Sequence, residues 1–445
     1  MKKSILILAG VVAASAVVPE ASALPVFSRQ VGRACSACHF QHFPLLNSYG
    51  RDFKASGYTL MGSQGKVKDD HLSIPNVLNL GALTTTRYDS VSAPAGAVKP
   101  PKWNVPGSGG ELSIFFGGRI ADFAGFLSEL GMTGVAGAAA VGAAKLPMLF
   151  PVGDYRIGPV IMTTNGQGMA HSFELLNTGA ANTHKVSAYG GTGGAGGGVK
   201  ASGNHVQVTS AAQFFGTNTA ATGISLVAAN TSFGYINIGK YEAAGVGTPG
   251  AGSLPLTYAR IAGLFGVGSW DIGVGIQNWS GSSFMLNGVA GLVPVDYKAT
   301  VVDGQLQGEL AGMPFGLYAS YGRAPGNAIN GNAFNSGGTA GVAGLTTSAA
   351  TSFNVTAELG VIPRGTIVLA LRSAKVGATA GITNLNDNAV MIGATYELAQ
   401  NVELSLTHTS NSGSAWDGSA LAAHGTGAAQ AVGKTETNFM LEALF

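Results

Sequence analysis

The chain has 445 residues, of which 46% are hydrophobic and only 10% charged, and its formal net charge is +2. Because ordinary soluble domains carry about 25% charged residues, this composition argues against an ordinary soluble domain. The near balance of 24 basic and 22 acidic residues gives no reason to expect a nucleic-acid partner.

The first residues have the pattern of a secretion signal. Lys2 and Lys3 form a basic start, an apolar core occupies residues 5–18, and Ala-Ser-Ala at 21–23 matches the small-x-small cleavage rule. An uncleaved membrane anchor is the alternative, but the apolar core is short for a membrane-spanning helix. We therefore expect residues 1–23 to be removed and the mature chain to begin near Leu24.

The next feature, Cys35-Ser36-Ala37-Cys38-His39, is a C-x-x-C-H sequence, the attachment pattern of a c-type haem. Each cysteine sulfur can bond to one haem side chain, and the adjacent histidine is placed to ligate the iron. The alternative is a redox disulfide of thioredoxin type, which needs a βαβ context that this sequence lacks. The pattern predicts one covalent haem c, bound by Cys35 and Cys38, with His39 as an iron ligand.

The sixth iron ligand has two candidates. Met61 follows the motif in Gly57-Tyr58-Thr59-Leu60-Met61, and a Met/His pair raises the reduction potential. His71 is the competitor and would give a lower potential. His42 is three residues from His39 and is expected on the same helical face, so it is a poor candidate for the opposite side of the iron. We place Met61 ahead of His71.

Residues 24–75 are locally basic and are predicted to form a small haem domain with short helices over Ala34–His39 and Pro44–Lys54. Such a segment is near the lower size limit for a core of its own, so the haem would supply much of it. Its basic side chains have two uses: they could neutralise the haem propionates, or they could dock against acidic residues of the remaining chain. The residues concerned are Arg29, Arg33, Arg51 and Lys54.

The remaining chain, residues 76–445, alternates in the manner of half-buried strands and has no stretch of about 20 strongly apolar residues. In one example, Ile367, Leu369 and Leu371 share a face and Thr366 and Arg372 the other. An exported, apolar chain without helical spans predicts an outer-membrane β-barrel. A soluble β-sandwich alternates in the same way, but it carries a higher density of charge.

Several segments place carboxylates on the face expected to line the barrel interior, where they could receive the basic domain. These residues are Glu111, Glu358, Glu397, Glu403 and Glu442. Glycine-, alanine- and asparagine-rich stretches separate the strands and are predicted to be external loops. The longest are Gly190–Asn204, Ala324–Ala350 and Asn411–Gly433.

The chain ends in an alternating segment whose last residue is aromatic. Phe439, Leu441, Ala443 and Phe445 share one face. This pattern resembles the C-terminal strand of bacterial outer-membrane barrels.

Four motifs follow one another between residues 27 and 59: FSRQVGRACSACH at 27–39, FPLL at 43–46, GRDFK at 50–54 and GYT at 57–59. Together they resemble the fused monohaem cytochrome–porins of iron-oxidising bacteria. Val31 and His42 depart from the family pattern. The resemblance implies a mainly β protein: a transmembrane antiparallel β-barrel of about 16 strands with a small N-terminal α-helical cytochrome c plug domain.

The resemblance also implies a function. Electrons would pass from extracellular Fe(II) to a periplasmic c-type cytochrome or another soluble acceptor, by outer-sphere transfer in a barrel surrounded by outer-membrane lipid. Two alternatives belong to other classes: an outer-membrane porin with a haem plug, and an electron conduit running outward to an external acceptor. A structural barrel whose haem only stabilises the plug is a further option.

Overall fold

The computed structural model describes residues 25–62, 64–69, 73–92, 102–132, 139–179, 210–243, 253–287, 291–335, 346–377, 385–416 and 434–445. Three predictions fall outside these ranges: the signal peptide at 1–23, the ligand candidate His71 and the loop Gly190–Asn204. They stay predictions.

The dominant feature of the described chain is a closed antiparallel barrel of sixteen long strands. Each strand pairs with its neighbour in the chain, and the last strand pairs with the first, with Leu444 opposite Leu83. The predicted barrel and its strand number are therefore confirmed. The strands are β1 Asn79–Val91, β2 Leu112–Arg119, β3 Gly125–Met132, β4 Ala139–Pro147, β5 Tyr155–Thr164, β6 Ala221–Asn230, β7 Gly234–Glu242, β8 Leu256–Val267, β9 Trp270–Ser280, β10 Ala299–Leu310, β11 Met313–Ala324, β12 Ala350–Ile362, β13 Gly365–Val376, β14 Leu385–Ala399, β15 Val402–Ser412 and β16 Thr435–Leu444.

The two faces of the barrel wall differ in polarity as the alternation predicts. On β13, Ile367, Leu369 and Leu371 are 48%, 50% and 42% exposed on the outside, whereas Arg372 is buried inside. On β10, Gln305 and Gln307 are buried on the inner face. An apolar exterior around a polar interior is the pattern of a barrel in lipid, and the protein is an outer-membrane barrel.

The two ends of the barrel are also distinct. Seven turns, at 120–124, 148–154, 231–233, 268–269, 311–312, 363–364 and 400–401, lie at the end that holds the start of β1 and the C-terminal Phe445. The other strand ends lie at the opposite end, and the described parts of the predicted loops Ala324–Ala350 and Asn411–Gly433 begin there. Because outer-membrane barrels have short periplasmic turns and long extracellular loops, the first end is periplasmic. We call it the short-turn end.

The N-terminal segment, residues 25–62, forms a plug that contacts inward-facing side chains at the short-turn end. Its helices are α1 Pro25–Val31, a 3-10 turn Cys35–Ala37 and α2 Ser48–Ala55. Phe53 and Tyr58 pack around Phe27 to form a small apolar core. None of the described helices is long and apolar enough to cross a membrane.

The helix predictions for this segment need correction. The predicted helix Ala34–His39 is only the single turn Cys35–Ala37, and the second predicted helix begins at Ser48 and not at Pro44. The intervening residues instead make a tight reversal in which Gln41 has a positive φ of 62° and the Phe40 amide bonds to the Leu45 carbonyl. Helix α1 was not predicted.

Two segments fold inward from the long-loop end into the barrel. Residues 165–179 include the 3-10 turn Met169–His171, and residues 210–220 include helix α3, Ala211–Phe214. Phe214 and Phe215 are buried at this end among strand residues such as Tyr258 and Trp279. This buried apolar cluster lies inside the barrel near the long-loop end.

The remaining described elements are short. Lys66–Lys68 pairs with Ser73–Pro75, Ser282–Asn287 pairs with Gly291–Asp296, and Ala333–Asn335 and Ser414–Trp416 are 3-10 turns. Three short strands also belong to the barrel sheet, beside the long ones: Trp103–Pro106, Gly109–Gly110 and Phe150–Val152.

Candidate functional site

The C-x-x-C-H motif folds as a single 3-10 turn at the short-turn end. The amides of Cys38 and His39 both donate to the Cys35 carbonyl at 2.9 Å. The two thiols are not joined to each other, and Cys35 Sγ lies 2.7 Å from Oδ1 of Asn401, in the turn between β14 and β15. The motif is therefore fixed against the periplasmic rim of the barrel.

His39 is oriented by the backbone of the reversal that follows it. Its Nδ1 donates to the Leu45 carbonyl at 3.2 Å, and its ring contacts the Phe43 ring edge-on with centroids 5.2 Å apart. Burial lowers the pKa of His39 to about 4, although its backbone hydrogen bonds oppose that shift. The imidazole is therefore neutral, and Nε2 is the nitrogen left to bind a metal.

These residues fit a covalent haem. Two half-buried thiols flank a turn, and the adjacent histidine presents its Nε2 while a carbonyl holds its Nδ1, as metal-binding histidines commonly do. Cys35 and Cys38 would hold the group and His39 would ligate its iron. This assignment stays a prediction.

The described sixth-ligand candidate, Met61, lies after the plug core. It is half-buried, and the next residue, Gly62, donates its amide to the Gln30 carbonyl of α1 at 3.0 Å. His42 is not on a helix but in the reversal, and its Nε2 lies 2.8 Å from a carboxylate oxygen of Glu358. His42 is thus used in docking the plug, and Met61 stays the predicted sixth ligand.

The four predicted basic residues have different partners. Arg29 donates to the Leu80 carbonyl at the start of β1. Arg33 is exposed, with its guanidinium 5.0 Å from the Tyr49 ring centroid. Arg51 is buried and pairs with Asp271 on β9, while Lys54 faces the interior near Glu174.

The plug docks against inner-wall acids through two pairs, and the sequence singled out neither pairing. Arg51 contacts Asp271, which was absent from the predicted carboxylates, and His42 contacts Glu358, which was among them. Glu358 and Glu442 are buried on the inner wall as predicted. Both His42 ring nitrogens face acceptors, since Nδ1 lies 2.8 Å from the Phe43 carbonyl.

The docked imidazole is charged. Burial disfavours the charge on His42, but the Glu358 carboxylate, with a smaller contribution from Glu403, raises its pKa to about 9. The plug is consequently attached to the wall by a buried charge-assisted hydrogen bond, which is among the stronger kinds in proteins.

The inward segment 165–179 also contacts the plug, which sequence reasoning missed. The Asn177 side chain accepts from the Leu46 amide at 2.7 Å and donates to the Leu46 carbonyl at 3.0 Å. The backbone amide of Asn177 donates to the side-chain oxygen of Gln305 on β10 at 2.6 Å. The only sequence signal was a break in the alternation at Phe173-Glu174-Leu175-Leu176, between a strand and a glycine-rich stretch.

A buried ionic group anchors the same segment to the wall. Arg260 on β8 contacts Asp303 on β10 at 2.5 Å and Glu174 at 3.1 Å, and Tyr235 donates its hydroxyl to Glu174. All four residues are almost fully buried. They hold Glu174 against the inner wall of the barrel.

Comparison with known proteins finds general similarity of structure only. No protein-family profile and no curated sequence matches the chain. Among solved structures, OmpF of Salmonella typhi in complex with daunomycin has a TM-score of 0.49 and 12% identity over 86% of this chain and 100% of its own. The outer-membrane channel DcaP of Acinetobacter baumannii has a TM-score of 0.47 and 11% identity, and the match covers 86% of this chain and 100% of DcaP. OmpT of Vibrio cholerae has a TM-score of 0.45 and 8% identity, and the match covers 86% of this chain and 99% of OmpT.

The assignment of the fold rests on the strand topology and wall polarity described above. The sixteen-stranded closed barrel with an apolar exterior defines an outer-membrane protein of porin-like architecture.

Proposed function

We propose that this chain is an outer-membrane c-type cytochrome fused to a porin-like barrel. It would take electrons from extracellular Fe(II) and deliver them to a periplasmic c-type cytochrome or other soluble acceptor. The observation that carries the proposal is the Cys35–His39 turn at the periplasmic rim, with His39 Nδ1 held by the Leu45 carbonyl. A bound c-type haem would supply reversible one-electron chemistry there.

The protein residues have three tasks in this proposal. Cys35 and Cys38 hold the cofactor, His39 and Met61 ligate its iron, and Leu45 keeps the His39 ring in one tautomer. The docking contacts of Arg51 and His42 keep the plug at the rim. Since Arg33, Ala34 and Ser36 beside the thiols are exposed, a periplasmic acceptor can approach the motif directly.

Fe(II) itself would stay outside the cell, and only the electron would cross the barrel interior from the long-loop end to the haem at the short-turn end. Loss of one electron converts each Fe(II) to Fe(III), and the insoluble product stays outside the cell. The barrel wall insulates the route from lipid and positions the plug relative to the periplasm.

The test is expression of the full chain with haem-maturation machinery, followed by stopped-flow addition of Fe(II) to the oxidised protein. We expect the haem absorbance to change to that of the reduced form. The matched control is Cys35→Ala with Cys38→Ala, which should carry no covalent haem. If the haem attaches but Fe(II) does not reduce it, iron oxidation is excluded as the function.

A second candidate, a porin with a haem plug, is favoured by the polar inner wall, with Asn237, Gln277 and Gln305 buried on it. The apolar cluster around Trp279 near the long-loop end argues against it, because diffusion pores have water-filled interiors. Solute flux into liposomes measures this directly. An outward conduit would instead require a low-potential haem, which a redox titration distinguishes.

A further inference from the structure

Six polar side chains form a continuous row on the outer face of the barrel wall, close to the long-loop end. Each is directly opposite the next across neighbouring strands from β9 to β14, and directly opposite residues of an antiparallel sheet share one face. All six are exposed or half-buried, whereas Ala324 and Val376, the next residues along two of the strands, are buried on the inside. We call these residues the outer polar row: Asn278, Thr300, Arg323, Thr351, Lys375 and Asn386.

The height of the outer polar row in the membrane follows from its aromatic neighbours. Tyr321 pairs with Phe353 on the same outer face, one side-chain repeat closer to the middle of the wall, and the two are 49% and 46% exposed. Outward aromatic residues mark the membrane interface in outer-membrane barrels. Because two strand residues span about 7 Å, Arg323 and Thr351 lie about that far beyond the aromatic pair, on its extracellular side. The row is therefore at the level of the lipid headgroups of the outer leaflet.

The row carries two positive charges for which the described residues supply no counter-charge. Neither the Arg323 guanidinium nor the Lys375 ammonium forms a hydrogen bond or an ion pair with any residue that the structure describes. The connections that follow these two residues in the chain, 325–349 and 377–384, contain no aspartate or glutamate. Because cations near a membrane surface attract anionic lipid, this pair of charges favours a lipid with an anionic headgroup.

The spacing of the two cations fits one phosphate group. Arg323 and Lys375 flank Thr351, and since adjacent strands lie about 4.8 Å apart, their Cα atoms are about 10 Å apart. Both side chains are long and flexible, so both can reach an anion placed over the Thr351 hydroxyl. An arginine binds phosphate through two parallel hydrogen bonds, and a lysine contributes a compact charge. The Asn386 side chain, next in the row, is exposed and can bond hydroxyl groups of a headgroup sugar.

We propose that the outer polar row binds a phosphorylated lipid of the outer leaflet, with the phosphate between Arg323 and Lys375. The acyl chains of this lipid lie along the apolar outer wall, beside Tyr321 and Phe353. The barrel thus holds one lipid in a fixed position at its extracellular rim. This inference depends on the wall alone and not on the proposed haem.

The first measurement is native mass spectrometry of the full chain, folded in detergent and titrated with diphosphoryl lipid A, a phosphorylated glycolipid. We expect one lipid to bind with higher affinity than any further lipid. Arg323→Gln and Lys375→Gln should each weaken this binding about fivefold, because each removes one cation near an anionic headgroup. The double substitution should abolish the preference, and the charge-keeping Arg323→Lys should retain most of it.

The matched control is Lys240→Gln. Lys240 is also an exposed cation near the long-loop end, but it lies on β7 outside the row, where its Nζ donates to the Thr257 hydroxyl at 3.0 Å. Removing its charge should leave the affinity for lipid A unchanged. If Lys240→Gln weakens binding as much as Arg323→Gln does, lipid A is attracted by surface charge in general and the proposal is overturned.

Two competitors separate the phosphate from the rest of the lipid. Diacylglycerol, which has acyl chains but no phosphate, should not displace lipid A, and displacement would overturn the assignment of phosphate as the recognised group. Inorganic phosphate should bind far more weakly than lipid A, since it lacks the chains that contact the wall. If inorganic phosphate binds as tightly, the row is a site for free phosphate and the lipid assignment is wrong.

Folding of each variant is checked by the heat-dependent shift in gel mobility of the barrel. The substituted side chains are exposed on the outer face, so we expect every variant to fold. Equal affinity for lipid A in the unsubstituted protein and in the folded double variant would overturn the proposal.

Discussion

At the scale of single residues, Gly50 explains part of the Gly-Arg motif. A Cβ at this position would overlap the Cys38 carbonyl oxygen, which also accepts the Asn47 amide at 3.0 Å. The following residue, Arg51, points to Asp271 on the wall. Gly50 thus permits close contact with the C-x-x-C-H motif, while its neighbour Arg51 docks the helix.

Replacing Gly50 by alanine should separate α2 from the motif. Although alanine favours a helix by about 1 kcal/mol over glycine, overpacking typically costs about 1–3 kcal/mol, so we expect net loosening. Hydrogen exchange should show a several-fold loss of protection at the Asn47 amide. Ser48→Ala, at an exposed position of the same helix, is the control, and equal protection in both variants would contradict the interpretation.

The residues of the site were predictable only where their signal is local. The five-residue motif identified Cys35, Cys38 and His39 as a group. The pairing of His42 with Glu358 joins residues 316 positions apart, and no pattern near either of them selects the other.

At the scale of elements, the inward segment 165–179 connects wall and plug. Phe173, Leu175 and Leu176 pack in one buried cluster with Ala55 of α2 and with Leu149 of the turn between β4 and β5. Asn177 then pairs with both backbone groups of Leu46, as a neighbouring strand would. The segment holds the reversal that orients His39.

Asn177→Ala should release that reversal. The substitution leaves the Leu46 amide and carbonyl without their partner, and each lost hydrogen bond in a partly buried site costs about 1–3 kcal/mol. We expect the Leu46 amide to exchange at least tenfold faster, measured by exchange and mass spectrometry. Asn165→Ala, at the long-loop end of the same segment, should leave that amide unchanged; a similar effect from both would point to general loosening.

The strands were predictable because each repeats one rule along its length. Outward Ile392 and Leu406, at 64% and 50% exposed, alternate with inward polar residues, and lipid on one side enforces that register. Helix α1 was missed because its seven residues are too few for a helical period to show. The inward segment was missed because its position depends on Arg260 and Asp303 from distant strands.

At the scale of the whole molecule, attachment of the plug to the barrel should depend on pH. The pKa of His42 is raised from 6.5 to about 9 in the folded protein, so its contribution is complete below about pH 6.5 and is lost as the pH rises through 9. A pKa shift of this size corresponds to about 3 kcal/mol of stabilisation of the folded protein by the charged His42. Protection of helix α2 against hydrogen exchange, corrected for intrinsic rates, should fall between pH 7 and pH 10.

The comparison for this prediction is His42→Gln. Lys54, whose pKa is lowered to about 8, gives the opposite trend, because stability rises where the unfolded chain binds more protons. Lys54 is present in both the unsubstituted protein and His42→Gln, so the difference between their pH profiles isolates the contribution of His42. An identical pH profile in the two proteins would show that the pair with Glu358 does not hold the plug.

The pairing of β1 with β16, which closes the barrel, suggests an order of assembly. Strand β1 begins at Asn79, shortly after the plug, and it is the strand that β16 must join to close the wall. The last step of closure therefore takes place beside a plug already made by the first part of the chain. Attachment of the proposed haem to Cys35 and Cys38 in the periplasm is consequently expected to precede insertion of the closed barrel into the membrane.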